Sequence, residues 1–182
     1  MTFAISFIDD AIDDRAKGSI SLGSTVETFC SDLSDYSCDD YKAQWTKAIN
    51  LALNERRTTA IFKSIELAEN GIGHLWLYPI VPSEHAGDTS EKQALLEDFP
   101  QDASDGVYLT ERFMNVTIRP ENFNERHFVQ YEDGTVGEEL ALYYLNLSSP
   151  ESFFGYLHDN VSHISHWYFS NSDLKHYLSR TA

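Results

Sequence analysis

The sequence predicts an α+β fold, in which a twisted, mainly antiparallel β-sheet carries a long helix on one face. Two observations support this class. The segments "TFAISFID" (2–9) and "GSISLGSTVETF" (18–29) alternate apolar and polar residues, as half-buried strands do. The segment "SCDDYKAQWTKAINLAL" (37–53) instead has the apolar spacing of a helix. Because further strands follow this helix through short connections, we expect antiparallel pairing with helices on one face.

The long helix is predicted over residues 38 to 54. Ser37 is a suitable N-cap, and Asp40 can complete a capping box with it. The apolar positions fall at i, i+4, i+7, i+8, i+11 and i+12, namely Tyr41, Trp45, Ala48, Ile49, Ala52 and Leu53. We expect this stripe to cover the sheet as part of the core and not to hold a ligand.

The rest of the chain predicts more strands and a helical end. Alternating or apolar runs indicate strands at 58–67, 73–82, 107–114, 126–133 and 138–147. Residues 83–106 form an acidic excursion with a possible short helix at 90–97. Ser149 and Pro150 are typical of a helix start. We therefore expect a domain over residues 1–148 and a C-terminal helical extension over 149–182, packed on the same domain.

The charge balance excludes several partners. The chain of 182 residues has 29 acidic and 13 basic side chains, a net charge of −16. Such a surface repels phosphate backbones and anionic lipids, so we expect no nucleic acid and no membrane partner. No apolar run is long enough to span a bilayer, and the acidic start does not resemble a signal peptide. These features predict a cytoplasmic protein.

No motif in the sequence indicates catalysis. The nucleophile elbow, the phosphate-binding glycine loops and His-Glu-x-x-His are all absent, so we predict no catalytic residue, no cofactor and no bound metal. A histidine-rich tail offers the best metal alternative, although its spacing fits a zinc site poorly. Its members are His158, Asp159, His163, His166 and His176.

The acidic loops are the candidate binding surface. Excess carboxylates attract a basic polypeptide and speed its encounter, and Tyr and Trp residues set among acids suit protein recognition. The candidates occupy the first loop and the excursion: Asp9, Asp10, Asp13, Asp14, Glu84, Asp88, Glu91, Glu97, Asp98, Asp102 and Asp105.

Read together, the segments resemble a known family. The pattern "ISFIDD", "GSISLG", "VETF", "LSDYSCDDYKAQWTKAI", "TTAIFKSI", "LWLYPI" and "VYLTERF" is similar to immunity proteins of contact-dependent growth inhibition, the CdiI type with a Whirly-like N-terminal domain. The most specific piece is Asp40, Tyr41, Gln44 and Trp45. The resemblance covers about residues 5 to 147. The excursion at 83–106 is longer than the family pattern, and the segment after Leu147 is additional.

The resemblance implies a function that fits the composition. Immunity proteins of this kind are cytoplasmic, have no enzymatic activity and neutralise the toxic C-terminal domain of a delivered protein. That domain is often a nuclease and is then basic, so an acidic inhibitor can occlude it. We expect this chain to be a monomer or weak dimer when free. Two alternatives stay open: an acidic interaction module with no toxin partner, and a metal-binding enzyme that uses the histidine-rich tail.

Overall fold

The protein is built from antiparallel sheets and helices, which confirms the α+β class. The computed structural model describes residues 2–9, 12–34, 36–67, 72–86, 105–118, 127–130, 136–141, 144–145 and 166–181. Within these ranges there are two sheets, two α-helices and a short 3-10 helix, Ser83–Ala86. The sequence predicts one sheet, whereas the strands divide between a three-stranded sheet and an eight-stranded sheet.

The first three strands form the small sheet. They are β1 (Phe3–Phe7), β2 (Arg15–Leu22) and β3 (Thr25–Asp32), and they pair in that order. The predicted hairpin is confirmed, since Leu22 pairs with Thr25 across the turn and Gly23 has a φ of 68°. A positive φ is easily adopted by glycine, which explains this residue at the turn.

The small sheet has a buried face and an exposed face. Phe3, Ile5, Ile20, Leu22 and Phe29 point into the core. The opposite side, here called the outer face, consists of three cross-strand rows. They are Ala4–Ser21–Val26, Ser6–Ser19–Thr28 and Ile8–Lys17–Cys30.

The later strands form the large sheet. They are β4 (Thr59–Leu67), β5 (Ile72–Pro82), β6 (Gly106–Thr110), β7 (Arg112–Ile118), β8 (His127–Gln130), β9 (Val136–Ala141), β10 (Tyr144–Leu145) and β11 (His166–Ser170). Their order is β10-β9-β8-β7-β5-β6-β11, with β4 also paired to β5. β5 is the central strand, because β4 lies on one side while β6 and β7 share the other.

The long helix, α1, spans Cys38–Asn54 and packs between the two sheets. The Ser37 hydroxyl accepts from the Asp40 N–H (3.2 Å), and the Asp40 carboxylate accepts from the Ser37 N–H (2.9 Å), which forms the capping box. Trp45 is completely buried. Its ring lies 5.1 Å from that of Phe7 and 6.0 Å from that of Phe29, between centroids. The aromatic stripe is therefore part of the core.

Side chains of α1 also hydrogen-bond to the backbone of β4, along the edge with which no described strand pairs. Gln44 Nε2 donates to the Ala60 carbonyl (2.6 Å), and its Oε1 accepts from the Phe62 N–H (2.9 Å). Trp45 Nε1 donates to the Phe62 carbonyl (2.7 Å). The amide of Gln44 thus replaces the donor and acceptor that a neighbouring strand would supply. A covered edge of this kind cannot recruit a strand from another molecule.

The same edge joins the two sheets. The Tyr41 hydroxyl accepts from the Ile65 N–H (3.0 Å) and donates to the Asp32 carbonyl at the end of β3 (2.9 Å). The Ser31 hydroxyl donates to the Lys63 carbonyl (2.5 Å). Burial raises the pKa of Tyr41, so its hydroxyl stays protonated and can donate. These side-chain bonds connect β3 to β4, which have no strand ladder between them and belong to different sheets.

The C-terminal part of the chain contains a strand as well as a helix. The sequence predicts helical structure there, but His166–Ser170 forms β11 against β6, and only then does the helix α2 (Asn171–Thr181) begin. Phe169, Leu174 and Tyr177 join the common core, and the Tyr177 ring packs edge-on against Phe3 (5.2 Å). The predicted strand 107–114 is divided into β6 and β7 at Glu111. The predicted helices at 90–97 and from Ser149 lie outside the described residues.

Replacement of Trp45 by alanine should lower the free energy of unfolding by about 3–5 kcal/mol, as truncations of large core residues do. Chemical denaturation measures this value, and Lys47→Ala, at an exposed position of the same helix, should change it by less than about 0.5 kcal/mol. A Trp45→Ala protein with an unchanged melting temperature and no partner binding would place Trp45 in an interface instead.

Replacement of Gln44 by methionine keeps the volume of the side chain but leaves the Ala60 carbonyl and the Phe62 N–H buried without partners. At about 1–3 kcal/mol for each such group, unfolding free energy should fall by roughly 2–6 kcal/mol. Lys47→Met is the matched control on the exposed side of α1. Equal stability of the two variants would show that the Gln44 bonds do not stabilise the fold.

Candidate functional site

The structure places five of the predicted acidic residues, in two separate groups. Asp9, Asp13 and Asp14 lie in the loop between β1 and β2, while Glu84 and Asp105 lie at the two ends of the acidic excursion. The other candidates are outside the described residues: Asp10, Asp88, Glu91, Glu97, Asp98 and Asp102.

Asp13 and Asp14 occupy a tight two-residue turn. Their φ angles are 49° and 58°, the left-handed conformation that a type I′ turn requires at both positions. Ile12 and Arg15 close the turn through two backbone hydrogen bonds, of 2.9 and 3.0 Å. The Asp14 carbonyl also accepts from the Leu33 N–H (2.7 Å). The turn, here called the acidic turn, is thus held in place from both sides.

The acidic turn presents carboxylates beside exposed isoleucines. The carboxylates of Asp9, Asp13 and Asp14 are exposed and have no partner within the part of the chain that the structure describes. Ile8 is 48% exposed and Ile12 is 71% exposed. An apolar side chain surrounded by free carboxylates can combine desolvated contact with attraction for a cationic surface.

Glu84 and Asp105 have a different role, because both belong to a cluster around Arg56. Glu84 accepts from Arg56 Nε and Nη2, both at 2.5 Å, as a bidentate ion pair. Asp105 accepts from the side-chain amide of Asn171, whose Oδ1 in turn accepts from Arg56 Nη1 (3.0 Å). Arg56 Nη2 also donates to the Gly106 carbonyl (3.0 Å). The cluster therefore connects the base of the excursion to β6 and α2.

Arg56 has no donor left for a partner. A guanidinium carries five N–H groups, and the bonds to Glu84, Gly106 and Asn171 are completed by one to the Ala52 carbonyl at the end of α1 (3.5 Å). The hydrogen bonds with Glu84 raise the pKa of Arg56 further above its ordinary value. Arg56 also adopts a φ of 51° directly after the helix. These features indicate a structural centre and not a binding site.

The two acidic groups lie at opposite ends of α1. Leu33, which contacts the acidic turn, precedes the helix, whereas Arg56 follows it. The helix has 17 residues, which corresponds to about 25 Å at 1.5 Å per residue. The described acidic residues are therefore not gathered on one contiguous patch, and the acidic turn is the group whose carboxylates remain available.

The residues that carry the family resemblance are structural. Asp40 completes the capping box, and Tyr41, Gln44 and Trp45 bond to the edge of β4. Gln44 gave a signal in the sequence, since it is a polar residue on an apolar helix face. No pattern in the sequence indicated the cluster around Arg56, because its members are far apart in the chain.

Two further features concern metal and membrane. Within the described residues, no group of three or more His, Cys, Asp or Glu side chains is arranged to hold a metal ion. His176 is exposed on α2, and the side chains of the other tail histidines lie outside what the structure describes. Neither described α-helix is long and apolar enough to cross a bilayer.

Replacement of Arg56 by lysine keeps the charge but cannot form the bidentate pair with Glu84. We expect the free energy of unfolding to fall by about 1–3 kcal/mol, an amount already reduced for the partial exposure of the cluster. Urea denaturation checks this, with Arg180→Lys on the exposed side of α2 as control. If both variants unfold at the same urea concentration, the cluster does not contribute to stability.

Comparisons with known proteins give one similar structure. No family model matches the sequence, and no curated protein matches it. A solved chain described as "CdiA-CT/CdiI toxin and immunity complex from Enterobacter cloacae" is similar in structure, with a TM-score of 0.49 and 13% sequence identity. The alignment covers 98% of this chain and 97% of that chain.

Proposed function

We propose that this protein is an immunity protein of the contact-dependent growth inhibition type, which binds and neutralises the toxic C-terminal domain of a delivered effector. It acts in the cytoplasm, by binding alone, and its partner is a basic domain such as a nuclease. In this proposal residues 1–148 form a Whirly-like immunity domain, and residues 149–182 extend the same body.

The observation that carries the proposal is the acidic turn. Its carboxylates are exposed, have no partner among the described residues and are held by a turn that the backbone has already formed. A preformed surface loses little conformational entropy on binding, so more of the interaction energy appears as affinity. The net charge of −16 acts in the same direction, because it attracts a cationic partner over the range set by the ionic strength.

The residues that carry the resemblance support the fold of an immunity protein, and the partner must be recognised by other groups. Tyr41, Gln44 and Trp45 fix the sheet edge inside the molecule, so this motif reports the fold and leaves the outside free to vary. Recognition of one toxin among many then depends on surface groups. Asp13, Asp14 and Ile12 are surface groups of this kind, and their chemistry fits a basic partner with an apolar pocket.

The direct test uses the C-terminal domain of a large secreted protein encoded beside this chain. Isothermal titration calorimetry should give a complex whose affinity falls as salt is raised. Asp13→Asn with Asp14→Asn should weaken it by about ten-fold or more, equivalent to at least about 1.4 kcal/mol. Asparagine also tolerates a positive φ, so the turn is preserved.

The control is Glu55→Gln, which removes a carboxylate that is 57% exposed at the end of α1 opposite to the acidic turn. We expect its effect on affinity to stay below about two-fold, since one rim charge away from an interface contributes little. Absence of an adjoining toxin gene, or a toxin domain that does not bind at any ionic strength, would contradict the proposed function. Equal effects of the turn and control variants would instead move the interface away from the acidic turn.

A further inference from the structure

The outer face of the small sheet is an open surface with an unusual composition. Of the four large apolar side chains that are exposed among the described residues, Ile8 and Val26 lie on it and Ile12 lies at its end, opposite Arg15. Val26 is 65% exposed. The middle row, Ser6, Ser19 and Thr28, has small side chains that allow another surface to approach closely. We propose that this face associates with the same face of a second copy, which makes the free protein a weak dimer.

The charge of the outer face indicates which molecule binds there. The chain has 29 carboxylates, yet none of the three rows of the outer face contains one, and their only charged residue is Lys17. Two molecules of charge −16 repel each other least where carboxylates are few. Beyond the three rows the same face ends at Arg15, which pairs with Asp32, so that end carries balanced charge. A basic partner would face Lys17 with no carboxylate in the three rows to attract it. The outer face therefore suits a second copy better than it suits a cationic toxin.

The rows also permit a symmetric arrangement. If a two-fold axis runs along the middle row, the end of the face that carries Lys17 in one copy meets the Ser21 end of the other. The two Lys17 side chains are then kept apart. Along the outer strands Ile8 meets Ala4, and Cys30 meets Val26, so apolar groups contact small or apolar groups on both sides of the axis.

The area of the outer face limits the affinity of the proposed dimer. Three strands about 4.8 Å apart and about five residues long give a flat area of roughly 250–300 Å² for each copy. Side chains that project from the sheet raise the accessible area. The total area that two copies bury nevertheless stays below the roughly 1,200–2,000 Å² of stable complexes. We therefore expect dissociation constants from tens of micromolar to millimolar. Because the molecules repel each other through their net charge, added salt should strengthen the dimer.

The test is sedimentation velocity of the full chain at increasing concentration, in low salt and in about 0.5 M NaCl. We expect the weight-average sedimentation coefficient to rise with concentration, and to rise more in high salt. Lys17→Glu should abolish that rise, whereas Lys47→Glu, with the same change of net charge on an exposed face of α1, should retain it. In a second pair of the same design, Thr28→Asp should abolish the rise and Ala43→Asp should retain it. Melting temperatures verify that each variant is folded.

A protein that sediments as a monomer at every concentration and both salt levels overturns the inference, as does a Lys17→Glu protein that associates like Lys47→Glu. The salt dependence separates this surface from the proposed toxin contact, since toxin binding should weaken with salt while self-association strengthens. Either proposal can therefore fail while the other holds.

Discussion

The fold depends on how α1 covers the edge of β4 that does not pair with β5. A strand that pairs on one side only leaves a row of backbone donors and acceptors, and inside a protein each unpaired group is costly. Here Tyr41, Gln44 and Trp45 satisfy these groups from the helix, so one turn of α1 acts as the missing strand. The position of the helix then fixes the small sheet, because Phe7 and Phe29 pack on Trp45 and Tyr41 bonds to the end of β3.

This constraint separates the parts of the sequence that specify the fold from those that face other molecules. Tyr41, Gln44 and Trp45 are completely buried and hydrogen-bonded to β4, so these residues cannot contact a partner. At the opposite end of α1, Arg56 forms an ion pair with Glu84 and is linked to Asp105 through Asn171. The carboxylates of Glu84 and Asp105 therefore bind within the protein and not to a partner. Among the described residues, the acidic turn and the outer face of the small sheet are two exposed surfaces. The first is rich in carboxylates, whereas the three rows of the second contain none, so the two surfaces differ in charge.

Local patterns predict the local elements well. The spacing from Tyr41 to Leu53 indicates a helix with the bounds that α1 has, and Gly23 with its flanking alternation indicates the β2–β3 hairpin. The division into two sheets was not predictable, because alternation shows that a segment is a strand but not which strand it pairs with. β11 was missed for a related reason: its five residues form a strand only because β6 lies beside them. Of the candidate site, the sequence identified the acidic loop, but it could not show that Glu84 is engaged internally, since Arg56 meets it across 28 positions of the chain.

The central claim is that helix side chains replace a strand along β4, and amide hydrogen exchange measures this residue by residue in the unmodified protein. The N–H groups of Phe62 and Ile65, which bond to Gln44 and Tyr41, should exchange as slowly as β4 amides paired with β5. Exchange of these two amides at the rate of a free edge strand would contradict the central claim.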